Sequence, residues 1–103
     1  MTPEKLYLLL STKFPTAETD WTGHERVPEP PFAVYLFRGI DNICADNRVY
    51  ASENRYTVEL YVRKRDYHSE KKLEDLFDKN DIFWNKDKIW NRELGLFQVI
   101  YEI

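Results

Sequence analysis

The sequence predicts an α+β fold: a single antiparallel or mixed β-sheet with two helices packed on it. Three observations carry this. Apolar and polar residues alternate strictly from Tyr56 to Arg63, a second alternation closes the chain through Phe97, Val99, Tyr101 and Ile103, and two stretches show apolar residues at helical spacing. At 103 residues the chain fits one domain, 1–103. A folded monomer of 12.5 kDa should expose roughly 6,200 Å² and bury about two-thirds of its unfolded surface, enough for a modest core.

The chain starts on a helix signature. Thr2 precedes Pro3, which is tolerated at the first helical position, and Glu4 faces the positive end of the helix dipole. Leu6, Leu9, Leu10 and Phe14 then share a face, and Pro15 ends the pattern, placing the helix over 3–14. Residues 15–31 read as an extended arm, with Pro28, Pro30 and Pro31 at its end. Trp21 in this arm either folds back on the core or anchors in a neighbouring subunit. The sheet-plus-helix body spans 32–103.

Phe32 to Arg38 is apolar on both faces and reads as a strand covered twice, by helices and arm or by a partner. The run from Asp41 to Asn47 is rich in turn formers and predicts a turn, followed by a short strand at Val49 and Tyr50. Tyr56, Val58, Leu60 and Val62 alternate with Thr57, Glu59, Tyr61 and Arg63 in the clearest strand of the chain. Asp66 and Ser69 are both possible caps for a second helix whose buried face is Leu73, Leu76 and Phe77. Its mixed charges from Glu70 to Lys79 read as a solvated face with weak i,i+4 pairs. Ile82 to Trp84 and Lys88 to Trp90 are short strand candidates, and Leu94 to Ile103 is a strand expected to pair inside the sheet rather than dangle.

The chemistry is sparse, and the expectation is that the chain is not an enzyme and uses no cofactor or metal. His24 and His68 lie in sequence near no cysteine or second histidine at metal-ligand spacing, and a lone histidine of this kind is usually solvated. Cys44, the only cysteine, cannot form an internal disulfide and points to a reducing compartment. Asp41 and Asp46 flank it and oppose a thiolate, although a pairing of Cys44 with His68 stays open at this stage. There is no phosphate-binding loop, dinucleotide fingerprint or nucleophile elbow. The apolar patch from Leu6 to Leu10 is too short to span a bilayer and lacks a cleavage site after it, so a cytoplasmic protein without a membrane partner is expected.

With 15 basic and 18 acidic side chains, net charge −3, the chain has no overall attraction to nucleic acid. Arg63, Lys64 and Arg65 beside Tyr61 are the one local exception, and they define the alternative function, a small nucleic-acid-binding domain with a Tyr/Arg/Lys patch. Such a run more often marks a solvated strand end.

The stretch Asp41-Asn42-Ile43-Cys44-Ala45-Asp46-Asn47-Arg48-Val49-Tyr50, the strand Tyr56-Thr57-Val58-Glu59-Leu60-Tyr61 and the ending Phe97-Gln98-Val99-Ile100-Tyr101-Glu102-Ile103 are informative together. They resemble small siphophage and prophage proteins of the head-to-tail connection region, of the tail terminator or tail-to-head joining type. The resemblance implies a virion structural protein of the phage neck that assembles as a homo-oligomeric ring, a hexamer by family analogy, at the head-proximal end of the tail. There it would end tail-tube growth and dock the head connector while DNA passes through the channel without specific binding. It further implies residence in the host cytoplasm during assembly and in the virion neck or tail afterwards. An aromatic content of 16% is more than one small core requires and suits desolvated subunit contacts. Trp21, Arg26, Arg38, Arg63 and Arg65, in loops and at strand ends, are the expected subunit-interface residues.

Overall fold

The first helix, α1, spans Pro3–Ser11. The Thr2 hydroxyl accepts a hydrogen bond from the Lys5 amide at 3.2 Å, capping its start. At the other end the hydroxyls of Ser11 and Thr12 donate to the carbonyls of Tyr7 (2.7 Å) and Leu9 (2.6 Å) and satisfy its last turn. The helix is thus shorter than the expected 3–14. Residues 12–14 form only a closing turn, but that turn still buries Phe14 beside Leu6 and Leu10.

This is a computed structural model that describes residues 1–23, 26–45 and 48–103, and only the backbone of residues 43–45 and 49–51. Within the expected arm it contains a strand that the sequence did not reveal, β1 (Thr16–Glu18), parallel to β2 (Phe32–Ala45). Then come β3 (Arg48–Val62), α2 (Tyr67–Lys79), β4 (Asn85–Asn91) and β5 (Leu96–Glu102). The sheet order is β1-β2-β3-β5-β4, antiparallel except at the β1 edge, so the sheet is mixed and the fold is α+β as expected. The C-terminal strand lies inside it, between β3 and β4.

Both helices pack on one sheet face. Leu6, Leu10 and Phe14 of the N-terminal segment and Leu73, Leu76 and Phe77 of α2 form one cluster with Ala33, Tyr35, Tyr56, Val58, Leu60, Val62, Val99 and Tyr101. Asp66 caps α2, its carboxylate accepting from the Ser69 amide (3.1 Å) and hydroxyl (2.8 Å). Asn80 closes the helix by donating its side-chain amide to the Leu76 carbonyl at 2.8 Å.

Two expectations are corrected. The turn expected from Asp41 onward is strand: β2 continues through Asp41 and Asn42 to Ala45, paired with β3 from Arg48. Positions 46 and 47, the end of that expected turn, lie outside the described residues. The expected strand at Ile82 to Trp84 is instead a connection, and β4 begins at Asn85.

The long β2–β3 pairing sets the shape. β5 covers β3 only from Thr57 to Val62, and β1 covers β2 only from Ala33 to Tyr35. Gly39–Ala45 and Arg48–Arg55 therefore run on as a two-stranded ribbon. The molecule measures 50 × 29 × 25 Å with a radius of gyration of 14.9 Å, against about 13 Å for a compact chain of this length. Its accessible surface, 7236 Å², exceeds the roughly 6,200 Å² of a compact monomer.

Candidate interaction surface

The ribbon leaves the body at a bulge. Phe37 pairs with Tyr56 and Gly39 with Arg55, so Arg38 is the extra residue, and Gly39 takes a φ of +131° that a side chain rarely adopts. Phe37 (54% exposed) and Ile40 (58%) stand here in solvent. Asp41 and Arg55 pair across the strands at 3.5 Å, and the Ser52 hydroxyl donates to the Asn42 side-chain oxygen at 2.7 Å. Such surface contacts add little, and an isolated two-stranded ribbon is marginally stable in water.

The sheet face opposite the helices is only partly covered. Phe32 and Val34 are buried there, with Trp21 meeting the Phe32 ring edge-on at 6.0 Å and Tyr61 stacked on its other side at 4.9 Å. Leu36, Thr57 and Ile100 remain half-exposed and Ile89 is exposed. Glu59 sits among them, accepting on one oxygen from the Tyr61 hydroxyl at 3.1 Å and from the Gln98 amide. Burial, with the neighbouring Glu59 carboxylate second, pushes the Tyr61 phenol up to about 12. A cleft of about 190 Å³ opens over this spot, walled by Trp21, Val27, Phe32, Tyr61 and Leu94 and including Glu59.

The helix-bearing face ends in a charged clasp. Glu70 of α2 is 6% exposed and receives Lys88 at 2.7 Å and Lys86 at 3.4 Å, both from edge strand β4. Lys86 also reaches Glu74 at 2.7 Å, and the Tyr101 hydroxyl donates to the same Glu74 oxygen at 2.8 Å. The Glu74 hydrogen bond holds the Lys86 ammonium above the usual lysine range, and burial followed by the Glu74 bond raises the Tyr101 phenol. The expected solvated α2 face is therefore corrected at Glu70, while Lys71 and Asp75 do form an exposed i,i+4 pair at 3.2 Å. Lysines turned inward from an edge strand also oppose pairing with another sheet.

The five expected interface residues occupy three separate places. Trp21 folds back on Phe32 within its own chain, the first of its two readings, and with Arg26 it lines a second open cleft of about 410 Å³ under the Pro28 loop. Arg63 belongs to the same region, bound to Glu29 at 2.8 Å and to the Pro30 carbonyl at 3.3 Å. Arg38 lies at the ribbon's root, 3.7 Å from Glu102. Arg65, with a φ of +63°, is exposed in the turn before α2. Phe37, Ile40, Glu59 and Tyr61 were not singled out as interface residues: alternation alone does not say that the face of Glu59 and Tyr61 is the one left bare, nor that Phe37 and Ile40, opposite Tyr56 and Asn54 on the helix side, are exposed.

The basic patch is divided. Tyr61 stacks on Phe32 on the open face, Arg63 is engaged by Glu29, and Lys64 lies 5.0 Å over the ring of Trp90, whose register places it on the helix face. His68 is exposed in the first turn of α2, whereas His24 and the Cys44 side chain lie outside the described residues. Among the described residues no group of three or more His, Cys, Asp or Glu side chains could hold a metal ion, and no helix is long and apolar enough to cross a membrane. Comparison of the chain with family models, with curated proteins and with solved structures finds no match in any of the three.

Proposed function

We propose that this chain is a non-enzymatic assembly protein of the phage neck, a ring subunit at the head-proximal end of the tail that ends tail-tube growth and joins tail to head. The observation that carries the reading is the ribbon. It exposes Ile40 with no strand beyond either edge, and Phe37 stands exposed at its root, an arrangement that gains from being covered by a neighbour and gives a lone monomer little. The partly bare sheet face supplies a second apolar surface on the same subunit, so one chain offers two different contacts. Two unlike surfaces that meet head to tail generate rings when the rotation closes. The specific assignment to the neck, and to tail tube and head connector as partners, rests on the resemblance of the Asp41–Tyr50, Tyr56–Tyr61 and Phe97–Ile103 stretches and is functional analogy.

The test is a negative-stain image of the purified protein mixed with tails made without it. A ring seated at one end of the tail is the expected result. Bare tail ends at saturating protein would overturn the assignment.

A further inference from the structure

Glu59 is unusual in its surroundings. It is half-buried, two neutral donors meet one of its oxygens, and among the described residues no lysine or arginine comes within ion-pair distance. Its neighbours on the cleft include the aromatic rings of Trp21, Phe32 and Tyr61, the exposed Leu94, and a second carboxylate, Asp20, beside Thr19. A carboxylate withdrawn from water is best satisfied by a cation. Aromatic faces attract the same group, a guanidinium above all, because it is flat, weakly hydrated and able to stack. The cleft, at about 190 Å³, is of side-chain size.

The chain itself presents such a group. Arg38, Arg55 and Arg63 are paired with Glu102, Asp41 and Glu29, and Arg26, Arg65 and Arg92, which have no ion pair among the described residues, all lie outside the ribbon. Arg48 is exposed, has no carboxylate within ion-pair distance among the described residues, and stands at the outer end of the ribbon. Nine steps along β3, from Arg48 to Thr57, separate it from the part of the sheet that β5 covers, roughly 30 Å at strand rise. That reach carries Arg48 away from its own cleft and toward another molecule.

We propose that the cleft beside Glu59 receives the guanidinium of Arg48 from a second copy of this chain. The contact joins ribbon to sheet face, two different surfaces, so each subunit gives one and accepts one, the head-to-tail arrangement that forms a ring when the rotation between subunits closes. This deepens the assembly reading and rests on it.

Sedimentation equilibrium on the full chain tests the pair. Arg48→Ala and Glu59→Gln are each expected to raise the subunit dissociation constant at least about tenfold, and the double variant to do no worse than the weaker single, as coupled charges do. Leu94→Arg, at an exposed position that leaves the core intact, is expected to fill the cleft from within and block assembly as strongly. Circular dichroism checks that each variant is folded. If the parent assembles and either Arg48→Ala or Leu94→Arg assembles as tightly, the inference is overturned while the assembly reading stands. A parent that stays monomeric at every concentration overturns both.

Discussion

The body and the ribbon of this molecule are built from the same two strands, yet they are held by different forces. Between Phe32 and Phe37, β2 runs with Ala33 and Tyr35 against the helix cluster and Phe32 and Val34 beneath the Trp21 loop. Beyond the Arg38 bulge, the same strand has one neighbour, exposed Ile40 and a surface ion pair. Burying a Leu- or Phe-sized side chain stabilises by about 1.5–3 kcal/mol, and an exposed ion pair by about 0–1 kcal/mol. The body therefore has its own reasons to fold, while among the described residues the ribbon is held by its backbone ladder and by surface contacts such as the Asn54 side-chain amide on the Met1 carbonyl at 3.0 Å. A division of this kind separates stability from assembly along one hairpin.

Substitutions should respect that division. The largest effect is expected at the centre of the body, where Leu60→Ala removes a fully buried side chain and should lower unfolding free energy by about 2–5 kcal/mol in denaturant titration. Ile40→Ala, the same kind of truncation on the ribbon, should move monomer stability by less than about 0.5 kcal/mol. If the two cost the same, the ribbon is packed on the body after all.

A somewhat smaller loss is expected at the clasp. Glu70→Ala leaves two lysines facing inward, and because both are about one-third exposed the penalty should be about 2 kcal/mol rather than that of a fully buried pair. Chemical denaturation checks it, and a loss near zero would mean that Lys86 and Lys88 turn to water without strain.

Gly39→Ala comes next. No heavy atom lies within 4 Å of the added carbon, so only the positive φ resists it, and a cost of about 1–2 kcal/mol should appear in the ribbon alone. Amide exchange should quicken in Ile40–Asn42 and Ser52–Arg55 and stay unchanged in β5.

The smallest effect concerns pH. Tyr61 holds its proton to about pH 12 when folded, against about 10 for a tyrosine in water. Between those values the unfolded chain has lost the proton and the folded chain keeps it, so its contribution is whole below pH 10 and is lost as pH rises toward 12. Phenolate absorbance should show a tyrosine ionising only near pH 12, and Tyr61→Phe should remove that step. A Tyr61→Phe variant whose high-pH titration matches the parent's would contradict the packed geometry on the open face.

Much of the body was legible because its signals are local. The alternation from Tyr56 to Arg63 located β3, and the Phe97-to-Ile103 alternation located β5 inside the sheet. The ribbon was hidden by the turn preferences of Asp41 and Asn42, which yield here to pairing with Ser52 and Glu53 across the hairpin. The three residues of β1 carry no period of their own and become a strand only because β2 lies beside them. Glu70 reads as one charge among many on a helix, and what buries it is a pair of lysines 16 and 18 positions away. Of the surface proposed for assembly, the Trp21 region and Arg38 were singled out in advance, while Glu59 needed the sheet faces to be assigned and Phe37 and Ile40 needed the length of the β2–β3 pairing.

If the ribbon meets another subunit, as proposed, the mass of the protein in solution shows it most directly. Sedimentation equilibrium across a wide concentration range should show the parent chain as a multimer and a Phe37→Ser, Ile40→Ser double variant as a monomer with a nearly unchanged thermal midpoint. A parent that remains monomeric throughout, or a double variant that assembles as the parent does, would contradict the claim.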